Sequence, residues 1–234
     1  MSLHGGDKSL VKPKLVFWLV PNLMVVGLVI MGGLLEKMFG PWLIIILEAS
    51  LAYVCWVKFR DNCRFSFDQL RKELRRWSKY LILHPIVRFL PALLLSRYLV
   101  NYSSPSWAGF LQIINNALHP MTYFYPIVEE LIFRVGVFRL LEGWSLEVFK
   151  EINTQHVIWA SAWVFGAGHF ANGMYTPYPL IIKIIPILYP TVIGLLYGAI
   201  YAKSRNISLT MAHHVWVNAI ETPILRLIFA HLIY

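Results

Sequence analysis

Aspartate is scarce in this 234-residue chain: Asp7, Asp61 and Asp68 are the full set, and none lies in an apolar run. An aspartyl mechanism inside a membrane needs two aspartates within spans, so that class is excluded. Cysteine occurs twice, Cys55 at the end of an apolar run and Cys63 in a basic loop. Neither has metal-ligand spacing, and two thiols so placed make no disulfide framework. No histidine is followed by glutamate, which removes the His-Glu-x-x-His zinc signature. Gly-x-Ser-x-Gly is absent too, and with it the nucleophile elbow of a serine hydrolase. Strand signals, low-complexity segments and internal repeats are missing as well.

What fills the chain instead is apolar. Hydrophobic residues make up 58%, aromatics 15% and charged residues only 14%, with a mean hydropathy of +0.59. A soluble domain carries more charge and less hydrophobic mass, so the composition reads as a polytopic membrane protein. The formal net charge of +9 falls mostly between apolar runs, which argues for topology and contact with anionic lipid rather than nucleic acid.

In chain order, 1–14 reads as a polar cytoplasmic tail. The run 15–35 is too long for the core of a cleavable signal and reads as a first span; 41–57 is a second, carrying Glu48. The loop 58–79 is rich in Lys and Arg and is expected on the cytoplasmic side. Within it, 65–77 is expected as an amphipathic surface helix. A third span at 80–100 contains His84 and Arg88. Further helices are expected at 110–118, 120–141, 156–170, 180–202, 207–220 and 223–234, with a charge-free turn at 171–179. The expected fold is all-α, a polytopic transmembrane bundle of seven to eight helices in one integral membrane domain, 1–234. Residues 1–110 form its N-terminal helices and 111–220 its core.

Three of the later helices carry polar groups at helical spacing. The first is PIVEELIFR at 126–134, where two carboxylates and an arginine interrupt an apolar run. Ionisable groups at membrane depth are costly, usually paired and usually functional. Glu130 and Arg134 are four apart in the favourable acid-first order, while Glu129 lies about 100° away on the helix with no local partner. The second is Phe165-Gly-Ala-Gly-His169, whose glycines permit close helix approach. The third is His214-Val-Trp-Val-Asn218, with imidazole and amide on one face. A carboxylate, two imidazoles and an amide suffice to activate water and to hydrogen-bond an oxyanion. Taken singly, each has a bland reading: a buried structural pair for Glu130 and Arg134, a satisfied core histidine, an interhelical amide. Glu48, His84, Arg88, Arg97 and Lys183 read as structural pairing or interfacial snorkelling.

Glu-Glu-x-x-x-Arg, Phe-x-x-x-His and His-x-x-x-Asn, in that order on successive helices, resemble the three motifs of the CAAX protease and bacteriocin-processing family of intramembrane proteases. The resemblance implies that Glu129 and His169 activate water, that His214 and Asn218 stabilise the oxyanion, and that Glu130 and Arg134 support them as an ion pair. His213 offers an alternative register, but a motif begun there puts Val217 where the amide is needed. The resemblance implies a metal-free glutamate mechanism with no cofactor; a zinc site of Glu129, His169 and His214 is the chemical alternative. Expected partners are membrane lipids and a peptide substrate, either a prenylated CAAX-type C-terminus or a bacteriocin or signalling peptide. The compact chain favours a prokaryotic plasma membrane with a cytoplasmic N-terminus. A non-catalytic binding or self-immunity protein is the rival reading.

Overall fold

The computed structural model describes residues 41–62, 65–99, 107–169 and 180–225, together with Leu227 and a few residues between 17 and 38. The expected tail at 1–14, most of the first span at 15–35, the turn at 171–179 and most of 223–234 lie outside the described residues, as do the side chains of Arg88, Arg97 and Lys183.

Eight α-helices make up the described chain, and no strand occurs among the described residues. They are α1 (Pro41–Phe59), α2 (Phe67–Leu99), α3 (Trp107–Leu118), α4 (Pro120–Glu130), α5 (Phe138–Phe149), α6 (Thr154–Gly168), α7 (Leu180–Ser204) and α8 (Ser208–Trp216). Two π-helical segments join them, π1 (Leu131–Val137) between α4 and α5, and π2 (Val217–Glu221) after α8.

Local chemistry sets the ends. His119 caps α4 by accepting from the Met121 N–H at 3.3 Å, and Pro120 follows at the first helical position, where its missing N–H costs nothing. Asn153 caps α6 through the His156 N–H at 3.1 Å. Lys150 ends α5 in the left-handed region, φ 61°.

Two expectations are corrected. The surface helix at 65–77 and the span at 80–100 are one helix, α2, because neither glycine nor proline separates them at 78–80. The expected helix at 120–141 is broken into α4, π1 and α5, and its last part runs through the mixed-charge stretch to Phe149. Periodicity read from sequence assumes 3.6 residues per turn throughout and does not register a widened turn.

Helices α6 and α7 make the most extensive pairing, and small residues allow it. A Cβ on Gly194 would stand 2.9 Å from the Ala162 Cα, and one on Gly166 would run into Thr191. Gly168, by contrast, faces only ordinary contact with Phe133. The buried core lies in two parts. One gathers Val135, Phe138, Leu141, Val157, Val164 and Tyr201; the other gathers Leu81, Ile193, Tyr197, Ile200 and Leu209. At one end Glu142 accepts hydrogen bonds from Arg139 and from both terminal nitrogens of Arg205, tying α5 to the turn after α7. Those bonds raise the Arg205 pKa above its ordinary value.

Among the described residues no helix is long and apolar enough to cross a membrane. The outer faces of α1 and α2 are nevertheless apolar: Leu51, Val54, Val57, Ile82, Leu83 and Ile86 are exposed, Ile82 to 70%.

Candidate active site

The carboxylates of the first motif stand at the last two positions of α4, directly before π1. The widened turn is real by its bonding, since the Phe138 N–H reaches back five residues to the Phe133 carbonyl. Segments of this kind are rare insertions, often found at functional sites. Glu130 and Arg134 are completely buried, and Arg134 Nε donates to Glu130 Oε2 at 3.3 Å. The other oxygen of Glu130 lies 3.1 Å from His214 Nδ1, across from α8. The opposite nitrogen of the same ring, Nε2, is 3.5 Å from Glu129 Oε2. Four side chains therefore run in series: Arg134, Glu130, His214, Glu129. Only the last is appreciably open, with 27% of its side chain exposed.

This order has electrostatic logic. A buried carboxylate is tolerated when opposite charge and hydrogen bonds replace water, and Glu130 receives both from Arg134 and His214. Glu130 thereby fixes the ring of His214: with Nδ1–H given to Glu130, Nε2 is the nitrogen turned to Glu129. The guanidinium of Arg134 packs on the rings of Phe165 at 5.0 Å and Tyr197 at 5.7 Å, a favourable placement of a cation against π faces. Its two terminal nitrogens are buried without a hydrogen-bond partner among the described residues.

His169 sits at the C-terminal cap of α6, where its Nδ1–H donates to the Phe165 carbonyl at 2.9 Å and leaves Nε2 as the free lone pair. The Phe165 ring separates the two candidate imidazoles, 4.8 Å from His169 and 5.8 Å from His214. Asn218 is the second residue of π2 and lines a cavity of about 330 Å³ together with Asn116, Met121, Thr122, Tyr125 and Thr222.

Of the residues expected from sequence, the fold thus brings Glu129, Glu130, Arg134 and His214 together, with Phe165 bridging to His169. Glu129, expected beside His169, contacts His214. Glu130, expected to serve Arg134, holds His214 as well. Among the described residues no group of three or more His, Cys, Asp or Glu is gathered to hold a metal ion. Both nitrogens of His214 face carboxylates.

Residues that sequence reading passed over are Glu221, Tyr189 and Tyr197, and it gave His84 and His213 no place at the site. One signal was available: 214, 218 and 221 follow the i, i+4, i+7 pattern of a single helical stripe.

The described helices thus set one imidazole between a buried carboxylate and a partly open one. Residues 111–220, just under half of the chain, match the family model described as Rce1-like, Type II CAAX prenyl endopeptidase Rce1-like. Over that segment the chain is similar to this family, in keeping with the resemblance carried by the three motifs. The family is one of membrane-associated proteases. No curated protein and no solved structure matches the chain.

Proposed function

We propose that the protein is a glutamate-type intramembrane endopeptidase that hydrolyses a peptide bond at the lipid surface, in a peptide or lipidated-peptide substrate. The observation that carries this reading is the partly open carboxylate of Glu129 facing His214 Nε2, at the end of a series anchored on buried Arg134. In the reaction, Glu129 takes a proton from water while the free nitrogen of His169 helps orient that water. The new C–O bond forms at the substrate carbonyl, and its oxygen becomes an oxyanion. A proton on His214 Nε2 and the Asn218 amide hydrogen-bond that oxyanion. Glu129 then gives its proton to the departing amine as the C–N bond breaks. A positioned base contributes about 10²–10⁴-fold and each oxyanion donor about 10²–10³-fold. The exposed apolar faces of α1 and α2 support a lipid-contacting surface.

The test is cleavage of a quenched fluorescent peptide by detergent-purified protein, run with a prenylated CAAX peptide and with its unprenylated form, each with and without a zinc chelator. Chelator-resistant cleavage that Glu129→Gln abolishes, with thermal unfolding unchanged, is the expected result. Full activity in Glu129→Gln or His169→Ala overturns the mechanism. Cleavage lost to the chelator overturns its metal-free form.

A further inference from the structure

A second buried polar cluster lies one residue along α8 from the first, and none of its members belongs to the three motifs. His84, from the middle of α2, is 2% exposed. Its Nδ1 lies 3.0 Å from Oε2 of Glu221, itself buried, 137 residues later in the chain. Its Nε2 lies 2.5 Å from the Tyr189 hydroxyl of α7. The tautomer with hydrogen on Nδ1 satisfies both at once: Nδ1–H donates to the carboxylate and Nε2 accepts from the phenol. One imidazole thus ties three elements, α2, α7 and π2.

We propose that Glu221 and His84 are positioning residues that set the rotation of π2, and through it the aim of the Asn218 carboxamide. This rests on the reading of Asn218 as an oxyanion donor. Glu221 is the last residue of the five-residue π2 and Asn218 the second. A π turn has a poorer intrinsic hold on its register than an α turn, being a rare single-turn insertion, and this one leans on outside partners at both ends. The α8 turn that leads into it is fixed by His214 on Glu130, and its own end by Glu221 on His84. Thr222 adds a local tie, donating its hydroxyl to the Val217 carbonyl at 2.6 Å. Replacing both partners by apolar groups of the same shape would be nearly neutral for stability. What the pair adds is direction, which a hydrogen bond has and an apolar contact lacks.

The cluster also reaches the first site by contact. The His213 ring stands edge-on to His84 at 5.0 Å, its Nδ1 is 2.7 Å from the Tyr197 hydroxyl, and the Tyr197 ring lies 5.7 Å from His214.

The experiment compares Glu221→Ala, Glu221→Gln, His84→Ala and the double alanine variant as full chains in detergent, measuring kcat, KM and thermal unfolding. A misplacement of about 1 Å costs on the order of 10²-fold, so Glu221→Ala is expected to lower kcat by about 10–100-fold with KM little changed. Glu221→Gln, whose amide oxygen still accepts from Nδ1–H, is expected to recover most of that loss, and the double variant to be no worse than the single ones. Unchanged kcat in Glu221→Ala, no recovery in Glu221→Gln, or losses that simply multiply in the double variant each overturn the proposal. Hydrogen exchange at 217–222 provides a readout independent of cleavage. Faster exchange there in Glu221→Ala, with α6 unaffected, supports positioning even where the wild type cleaves neither peptide and the protease reading itself falls; unchanged exchange overturns it.

Discussion

His213 and His214 are consecutive on α8, and the roughly 100° between neighbouring helical residues turns them to different company. His214 lies between two carboxylates, one sealed against Arg134 and one partly open. His213 meets a phenol and another imidazole. The first setting supplies charge and a partly open carboxylate; the second supplies a hydrogen bond to a phenol and an edge contact with a second imidazole. Identical side chains in adjacent positions thus acquire different capacities from the helices packed against them.

The sharpest way to break this comparison is to remove each ring in turn. His214→Ala deletes a proposed oxyanion donor and unties Glu130, so cleavage is expected to fall by at least about 10²–10³-fold. His213→Ala loses one hydrogen bond to Tyr197, worth about 1 kcal/mol, and cleavage is expected to stay within about tenfold of wild type. Steady-state rates on the same peptide decide it. Equal losses would mean that the two settings are not functionally distinct.

The carboxylate side depends on Arg134, which gives a second contrast. Arg134→Ala strands Glu130 in a completely buried site, and a cost of about 3–5 kcal/mol is expected, seen as a fall in unfolding temperature and in folded yield. Arg205→Ala breaks a closer arginine–glutamate contact at a partly exposed position, 35% on the arginine side, where screening reduces the expected cost to about 1 kcal/mol or less. Similar losses in the two variants would show that burial does not govern these pairs.

How much of this was legible beforehand follows from how local each feature is. Glu130 with Arg134 was readable because both partners lie on one helical row four residues apart. The family motifs were readable as spacings. The pairing of His214 with Glu130 spans 84 residues and that of His84 with Glu221 spans 137, and no periodicity encodes which helix will face which. His84 in an apolar run looks like any satisfied core histidine. The two π segments escaped for a different reason: an extra residue in one turn leaves composition and hydropathy untouched while rotating everything after it. The structure therefore changed the neighbours assigned to the motif residues without changing which residues stood out.

The seam between α6 and α7 holds both settings in register, since Phe165 on one helix and Tyr197 on the other contact His214. Gly194 lies one turn before Tyr197, and an added Cβ there would meet the Ala162 backbone at 2.9 Å and its side chain at 3.1 Å. Backbone cannot swing away as a flexible side chain can, so Gly194→Ala is expected to force the helices apart at a cost of about 1–3 kcal/mol. Gly143, inside α5, is the control, because nothing lies within 4 Å of its added Cβ. There the gain in helix propensity is unopposed, and Gly143→Ala is expected to stabilise by about 0.5–1 kcal/mol. Thermal unfolding of the two variants should therefore move in opposite directions. If Gly194→Ala also stabilised, the seam would be looser than the backbone approach implies, and the separation of the two histidine settings would need another cause.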